Sequence, residues 1–251
     1  MDLGLAGKRA LVTGGASGLG RALVEVLHAE GAQVAFNYRS RKDEAEQMVA
    51  DLGGEGIVAL PGDLADREQV STLVPTAIEA LGGLDILVNN AGIWLSGYVG
   101  EIDDDHWDRT MDVNLRAPVM LCQQFVTYAR ETDLPWGSIL NVSSQAGFHG
   151  STTGHSPYAA SKAGLSNFTV SLARELGSAP INANSFLIGM MHSPMSADAL
   201  AARPEYYANR IPRGRPSQPE ELAKIAAFLV SPVASYMTGT AVDVTGGMLM
   251  R

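Results

Sequence analysis

The sequence predicts an α/β protein: a doubly wound parallel sheet with helices on both faces, in one domain over residues 1–251. Three observations carry this. Short apolar runs alternate with helix-period segments along the whole chain, the pattern of repeated βαβ units. The first apolar run leads through Gly14-Gly15-Ala16-Ser17-Gly18-Leu19-Gly20 into a helical pattern. No linker, internal repeat or low-complexity stretch divides the 251 residues, which are enough for one large core.

The first strand is expected over residues 8–13. Leu19, Ala22, Leu23, Val26 and Leu27 then recur at helical spacing up to Gly31, and 33–38 reads as a second strand. A third strand, 57–60, ends at Gly62-Asp63-Leu64. Asp66 starts the next helix, with Gln69 completing a capping box and Pro75 expected to kink it. Residues 84–88 form a strand ending in Asn89-Asn90-Ala91-Gly92, followed by one long helix over 105–131. The strand 138–144 precedes a helix with Ser156 as N-cap and Pro157 at its first position. Leu165, Phe168, Leu172 and Leu176 mark its apolar face, and Gly177 offers a stop. Strand 181–186, helix 220–229 and strand 240–244 complete the pattern.

Composition limits the function. Hydrophobic residues make up 46% and charged residues 18%, a well-buried globular balance. A net charge of −9 argues against nucleic acid and anionic membranes as partners. No apolar run is long enough to span a bilayer, and the N-terminus lacks a charged region followed by an apolar one. The expected location is cytoplasmic. The single cysteine, Cys122, sits in an apolar stretch and reads as core filler. No Cys/His/acid cluster has metal-ligand spacing.

Two constellations carry chemistry. A glycine-rich turn between strand and helix lets the backbone approach a pyrophosphate, and the helix N-terminus supplies free N–H groups. An acid at the end of the second strand would bind the ribose 2′-hydroxyl of NAD; a basic residue suits the 2′-phosphate of NADP. This chain has Asn37, Tyr38 and Arg39, followed by Arg41 and Lys42, which favours NADP(H) while NAD(H) stays open. The competing explanation is that these cations only solvate the next helix start.

The second constellation is Tyr158-Ala159-Ala160-Ser161-Lys162, a phenol and an ammonium on one helix face. A phenol ionises near pH 10, too high for proton transfer at neutrality. A cation about 4 Å away at an effective dielectric of about 20 contributes about 4 kcal/mol, enough to bring it toward neutrality. The pair is a candidate general acid/base.

Thr13-Gly14 with Gly18 and Gly20, Asn89-Asn90-Ala91-Gly92, Asn114, Ser144 and Tyr158/Lys162 occur in that order. So arranged, the chain resembles the short-chain dehydrogenase/reductases, most closely the subgroup of 3-oxoacyl-ACP reductases and bacterial glucose dehydrogenases. The likeness extends from Leu5 to Gly247 and implies a Rossmann-type dinucleotide domain. It implies that Gly14, Ser17, Gly18 and Leu19 line the pyrophosphate turn and that Asp63 and Leu64 flank the adenine. Asn90, Ala91 and Gly92 would pass beside the adenosine and ribose, and Gly189, Met191 and Ser193 would line the nicotinamide end. Ser144 would hydrogen-bond the substrate oxygen and Tyr158 would transfer the proton. Lys162 would hold the nicotinamide ribose and lower the tyrosine pKa, and Asn114 would position a water joining Lys162 to solvent. Ile188 stands where the family usually has proline, and Ser193 where it has threonine.

The resemblance further implies a homotetramer, a substrate lid at about 190–211, and a small carbonyl or alcohol substrate reduced or oxidised with Tyr158 as general acid/base. The rival reading is a catalytically silent dinucleotide-sensing protein of the same fold. The complete Asn114, Ser144, Tyr158 and Lys162 set favours the enzyme.

Overall fold

The structure, a computed structural model, describes residues 1–151 and 153–250. β1 (Arg9–Val12) leads into α1 (Gly18–Ala29), β2 (Gln33–Tyr38), α2 (Lys42–Asp51), β3 (Ile57–Pro61), α3 (Arg67–Leu81) and β4 (Ile86–Asn89). There follow α4 (Asp104–Met111), a π-helical turn at Asp112–Arg116, α5 (Ala117–Glu131), β5 (Gly137–Ser144), α6 (Ala146–His149) and α7 (Ser156–Glu175). β6 (Ile181–Ile188), α8 (Ala197–Ala202), α9 (Pro204–Ala208), α10 (Pro219–Leu229) and β7 (Ala241–Val244) complete the described elements.

The seven strands form one sheet in the order β3-β2-β1-β4-β5-β6-β7, with every neighbouring pair parallel. Parallel neighbours need crossovers, and here helices supply them. Residues of α1, α2 and α10 pack with one face of the sheet; those of α3, α5 and α7 pack with the other. Covering both faces explains why central strands read as unbroken apolar runs rather than alternating ones.

β5 is buried along its whole length although it contains Ser138, Asn141, Ser143 and Ser144. Polar groups so placed need partners. Asn141 accepts from Asn89 at 2.8 Å and donates to Thr169 Oγ1 at 2.8 Å. Ser143 donates to the Lys162 carbonyl at 2.9 Å and accepts from Ser166 at 2.8 Å. This seam lashes α7 to β5 and thereby sets Tyr158 and Lys162 against Ser144.

Several expectations are corrected. The helix expected over 105–131 keeps helical backbone from α4 into α5 but carries between them the π turn that holds Asn114. The extra residue in such a turn displaces a side chain from the regular helical face. α7 begins at Ser156 with His155 as its N-cap, so Ser156 is inside the helix and Pro157 in its first turn. It ends at Glu175 with Leu176 as C-cap, which puts Gly177 just past the cap, at the expected stop. Asp66 caps α3 as expected, but Gln69 does not reach back to its N–H, which already donates to the Asp63 carbonyl at 3.0 Å. Gln69 Oε1 accepts instead from the Asp63 N–H at 2.9 Å. α3 runs on through Pro75 to Leu81. β6 continues two residues past Phe186, and Ile188 pairs with Ser144 and Val244, so the missing proline leaves this strand end in the sheet.

Candidate active site

Strand order reverses at β1, flanked by β2 and β4, and a crevice opens at the carboxyl ends of the strands, where this architecture binds ligands. The cleft there has a volume of about 450 Å³ and reaches from Arg39 to Tyr158 and Lys162. Every site residue the sequence suggested follows or ends a strand, apart from Asn114 on the π turn and the α1 and α7 residues.

The glycine turn is shaped by close approach. Gly14 has φ +65°, and a Cβ there would lie 3.0 Å from Ala91 Cα. Gly18 has φ +55° and faces Ser193. A Cβ on Gly20 would come 2.2 Å from the Gly14 carbonyl oxygen, so only glycine lets α1 seat against the turn. Ser17 precedes α1 in extended conformation and makes no side-chain cap, so the helix N-terminus faces the cleft uncapped by that hydroxyl. Thr13 Oγ1 accepts from the N–H groups of Asn90 and Ala91, each at 3.0 Å. Asn90 Nδ2 donates to the Thr13 carbonyl at 2.9 Å. The turn is thus pinned to the end of β4. Free N–H groups, positive-φ glycines and a long cleft fit a dinucleotide.

Arg39 and Arg41 both line the cleft at the end of β2. Arg41 is paired with Glu44 at 3.0 Å, whereas Arg39 forms no ion pair among the described residues. Asn37, where an acid would select NAD, is tied by Nδ2 to the carbonyls of Leu60 and Gly62. Asp63 and Leu64 line the same cleft, with Asp63 3.7 Å from Arg109.

Tyr158 and Lys162 lie on one face of α7, as the spacing requires. Lys162 Nζ donates to the Val142 carbonyl at 2.8 Å and sits 5.8 Å from the Tyr158 ring centroid. Burial pushes the phenol pKa up, and the group working against that is the Ser144 hydroxyl, through a hydrogen bond. Burial also brings the Lys162 pKa down to about 8. The Asn114 carboxamide is buried and engaged: Oδ1 accepts from the Ile93 N–H at 2.8 Å, and Nδ2 donates to the Ile93 carbonyl at 3.0 Å and to Ser161 Oγ at 3.2 Å. That side chain clamps the segment after β4 onto α7. Gly92 completes the contact, since a Cβ there would lie 3.3 Å from Asn114 Oδ1 and 3.5 Å from Lys162 Nζ.

A second cavity of about 140 Å³ adjoins the cleft and holds Ser144 and Gly189. Tyr158, Ile188, Met191, Ser193 and Met195 line both spaces. Gly14, Ser17, Gly18, Leu19, Arg39, Asp63, Leu64, Asn90, Ala91, Gly92, Tyr158, Lys162, Met191 and Ser193 therefore meet in one cleft. Gly189 falls in the neighbouring cavity and Asn114 behind the wall. Sequence reasoning missed Ser40 and Ile93, which no local pattern marks, and reached Pro194 and Met195 only as part of the lid at about 190–211. It also missed Ser143 and Ser166; polar residues in an otherwise apolar strand were the available signal. Cys122 is buried beside Asn89 and Asn141, its thiol pushed up to about 12 by burial, which suits core filler. Among the described residues there is no metal-binding cluster and no helix long and apolar enough to cross a membrane.

Comparison with known proteins agrees with this geometry. A family model described as Enoyl-(Acyl carrier protein) reductase matches residues 14–249. The 3-oxoacyl-[acyl-carrier-protein] reductase FabG of Staphylococcus aureus is 37% identical over 248 residues, covering 97% of this chain and 98% of that protein. A short-chain dehydrogenase/reductase of Brucella melitensis, described as a glucose/ribitol dehydrogenase, superposes with TM-score 0.92 at 30% identity over the whole of both chains. A short-chain dehydrogenase of Burkholderia cenocepacia, solved in complex with NADP, gives TM-score 0.88 at 35% identity over 98% of this chain and 99% of that one. The chain belongs to the short-chain dehydrogenase/reductase family of NAD(P)-dependent oxidoreductases.

Proposed function

We propose that this protein interconverts a ketone or aldehyde and the corresponding alcohol, with NADP(H) preferred over NAD(H). The observation that carries the reading is the position of Tyr158, which lines both the dinucleotide-sized cleft and the cavity holding Ser144. When bound, the nicotinamide supplies the hydride in reduction and takes it up in oxidation.

The chain's own residues do the rest. As a carbonyl is reduced, negative charge builds on its oxygen, so that oxygen needs a donor and a proton together. Ser144 donates a hydrogen bond and Tyr158 Oη gives the proton; in oxidation Tyr158 takes the alcohol proton. Lys162, held by the Val142 carbonyl, presents its ammonium to the nicotinamide ribose. Asn114 is a positioning residue that fixes Ile93 and Ser161. Gly14, Ser17, Gly18 and Leu19 cradle the pyrophosphate at the N-terminus of α1. Asp63 and Leu64 flank the adenine, Asn90, Ala91 and Gly92 pass beside the ribose, and Arg39 takes the 2′-phosphate. Gly189, Met191 and Ser193 line the nicotinamide end, beneath a lid at 190–211 that contains α8 and α9.

Proton delivery to an oxygen favours carbonyl chemistry over the enoyl reduction in the family model's description, as does the name of the Staphylococcus relative. The NADP complex of the Burkholderia relative supports the cofactor. The assembly is a homotetramer in this reading, as the family resemblance implies; a monomer in light scattering would remove that part. The central test is consumption of NADPH and NADH against a panel of ketones and aldehydes, with Tyr158→Phe as control. Turnover with the wild type and its loss in the variant are expected. If neither cofactor is consumed with any carbonyl, the dinucleotide-sensing reading takes its place.

A further inference from the structure

We propose that the substrate carries one phenyl-sized apolar substituent on its carbonyl carbon: an aryl ketone, or the corresponding benzylic alcohol in the reverse direction. The inference rests on the oxidoreductase reading above and names the substrate class of that same site.

Volume is the first argument. At about 140 Å³ the second cavity is close to the engineered cavity of about 150 Å³ that binds a benzene ring. It is much smaller than the roughly 300–1,000 Å³ pockets that enclose whole drug-sized ligands. It therefore takes one ring-sized arm of a molecule whose reacting carbon lies by Ser144 and Tyr158.

The lining is the second argument. Four of the chain's ten methionines, Met190, Met191, Met195 and Met248, line this one cavity. So dense a cluster makes an apolar wall of flexible thioethers, which favour aromatic edges and adjust to the shape of an occupant. Trp94 also lines the cavity. Its indole is stacked on His155 with centroids 4.3 Å apart and an interplanar angle of 19°, so its ring is held flat by a residue outside the lining. His155 is in turn tied to Thr153 Oγ1 at 3.1 Å. An aromatic platform and movable sulfurs on one lining suit a flat ring.

The polar groups are the third argument. Among the described residues no Asp, Glu, Asn or Lys lines this cavity, so it lacks the carboxylates that usually anchor a polyhydroxy substrate, and its one side-chain amide is that of Gln145. Several polar groups present are turned on one another or on the backbone. His149 Nε2 lies 3.4 Å from Gln145 Oε1, and Ser196 Oγ donates to the Met191 carbonyl at 2.5 Å. The full cation on the lining, Arg210, lies 5.1 Å over the Tyr206 ring.

The test uses the full chain with NADPH and four probes: acetophenone, butan-2-one, dihydroxyacetone and acetoacetyl-CoA. Acetophenone is expected to exceed butan-2-one in kcat/KM by at least about tenfold, within the range that buried apolar groups supply. The Met190→Ser/Met248→Ser double variant is expected to bring that ratio toward one, and the Met190→Leu/Met248→Leu variant to retain it. A higher kcat/KM for dihydroxyacetone or acetoacetyl-CoA than for acetophenone overturns the proposal while leaving the oxidoreductase reading in place. Calorimetry of acetophenone with the wild-type protein and NADP⁺, a pair with no hydride to transfer, reads the pocket without turnover. Saturable binding is expected. Its presence with no carbonyl turned over would remove the oxidoreductase reading and leave the ring pocket standing; its absence overturns the pocket.

Discussion

Lys162 Nζ donates to the Val142 carbonyl oxygen at 2.8 Å and stands over the ring of Tyr158, four residues earlier, 5.8 Å from its centroid. The lysine is 3% exposed and sits beside Gly92 and Asn114. Its cost in desolvation has a consequence for stability.

With a pKa of about 8 in the folded chain against about 10.5 unfolded, the unfolded state binds more protons between those values. Stability therefore rises with pH through that window. From pH 7.5 to 9.5 the wild type is expected to gain about 2 kcal/mol relative to Lys162→Met. Urea unfolding of both proteins at the two pH values measures it, and identical pH dependences would contradict the assigned burial.

Ser144→Ala removes the hydrogen bond that opposes the upward shift of the Tyr158 phenol. The pH limb for alcohol oxidation should move to higher pH, and kcat should fall by about 10- to 100-fold, the value of a hydrogen bond to a developing charge. A pH–rate profile of the variant decides; an unmoved limb would mean that Ser144 does not set the phenol's acidity.

Arg39→Asp should lower kcat/KM with NADPH by about 10- to 100-fold, the loss of a charge-assisted bond, and improve NADH. Arg41→Ala should do less, because Glu44 already engages that guanidinium. Parallel kinetics with both cofactors test the order, and equal effects at the two positions would count against Arg39 as the 2′-phosphate ligand.

Gly20→Ala places a methyl where the Gly14 carbonyl oxygen lies, 2.2 Å from the new carbon. The turn or α1 must move, at a cost of at least about 2 kcal/mol, and dinucleotide affinity should fall with it. Thermal unfolding and cofactor titration of the variant would show both losses; wild-type values for either would mean that the turn yields easily.

Much of the site was legible because its signals are local. The glycine turn announces itself by sitting between an apolar strand and a helical pattern, and Tyr158 and Lys162 share a face by helical spacing alone. Arg39 was found by its place one residue past a strand. Other features left no such mark. The π turn at Asn114 arises where the amide reaches across to Ile93, a residue 21 positions earlier. The N-cap of α7 moved from Ser156 to His155, and the hydrogen bond that works against the upward shift of the buried Tyr158 phenol comes from Ser144, which lies on another element.

The order of strands and helices, the cradle for a pyrophosphate and the pairing of phenol with ammonium were decided by the amino-acid sequence itself. Propensity and periodicity act within a turn or two of chain, and these features need no more. Which way Lys162 points and how large a space adjoins Ser144 were decided only by the tertiary structure. So was the gathering of Trp94, Met190 and Met248 around one small cavity. Those depend on contacts between segments far apart in the chain, where burial and hydrogen bonding to a distant neighbour override any local preference.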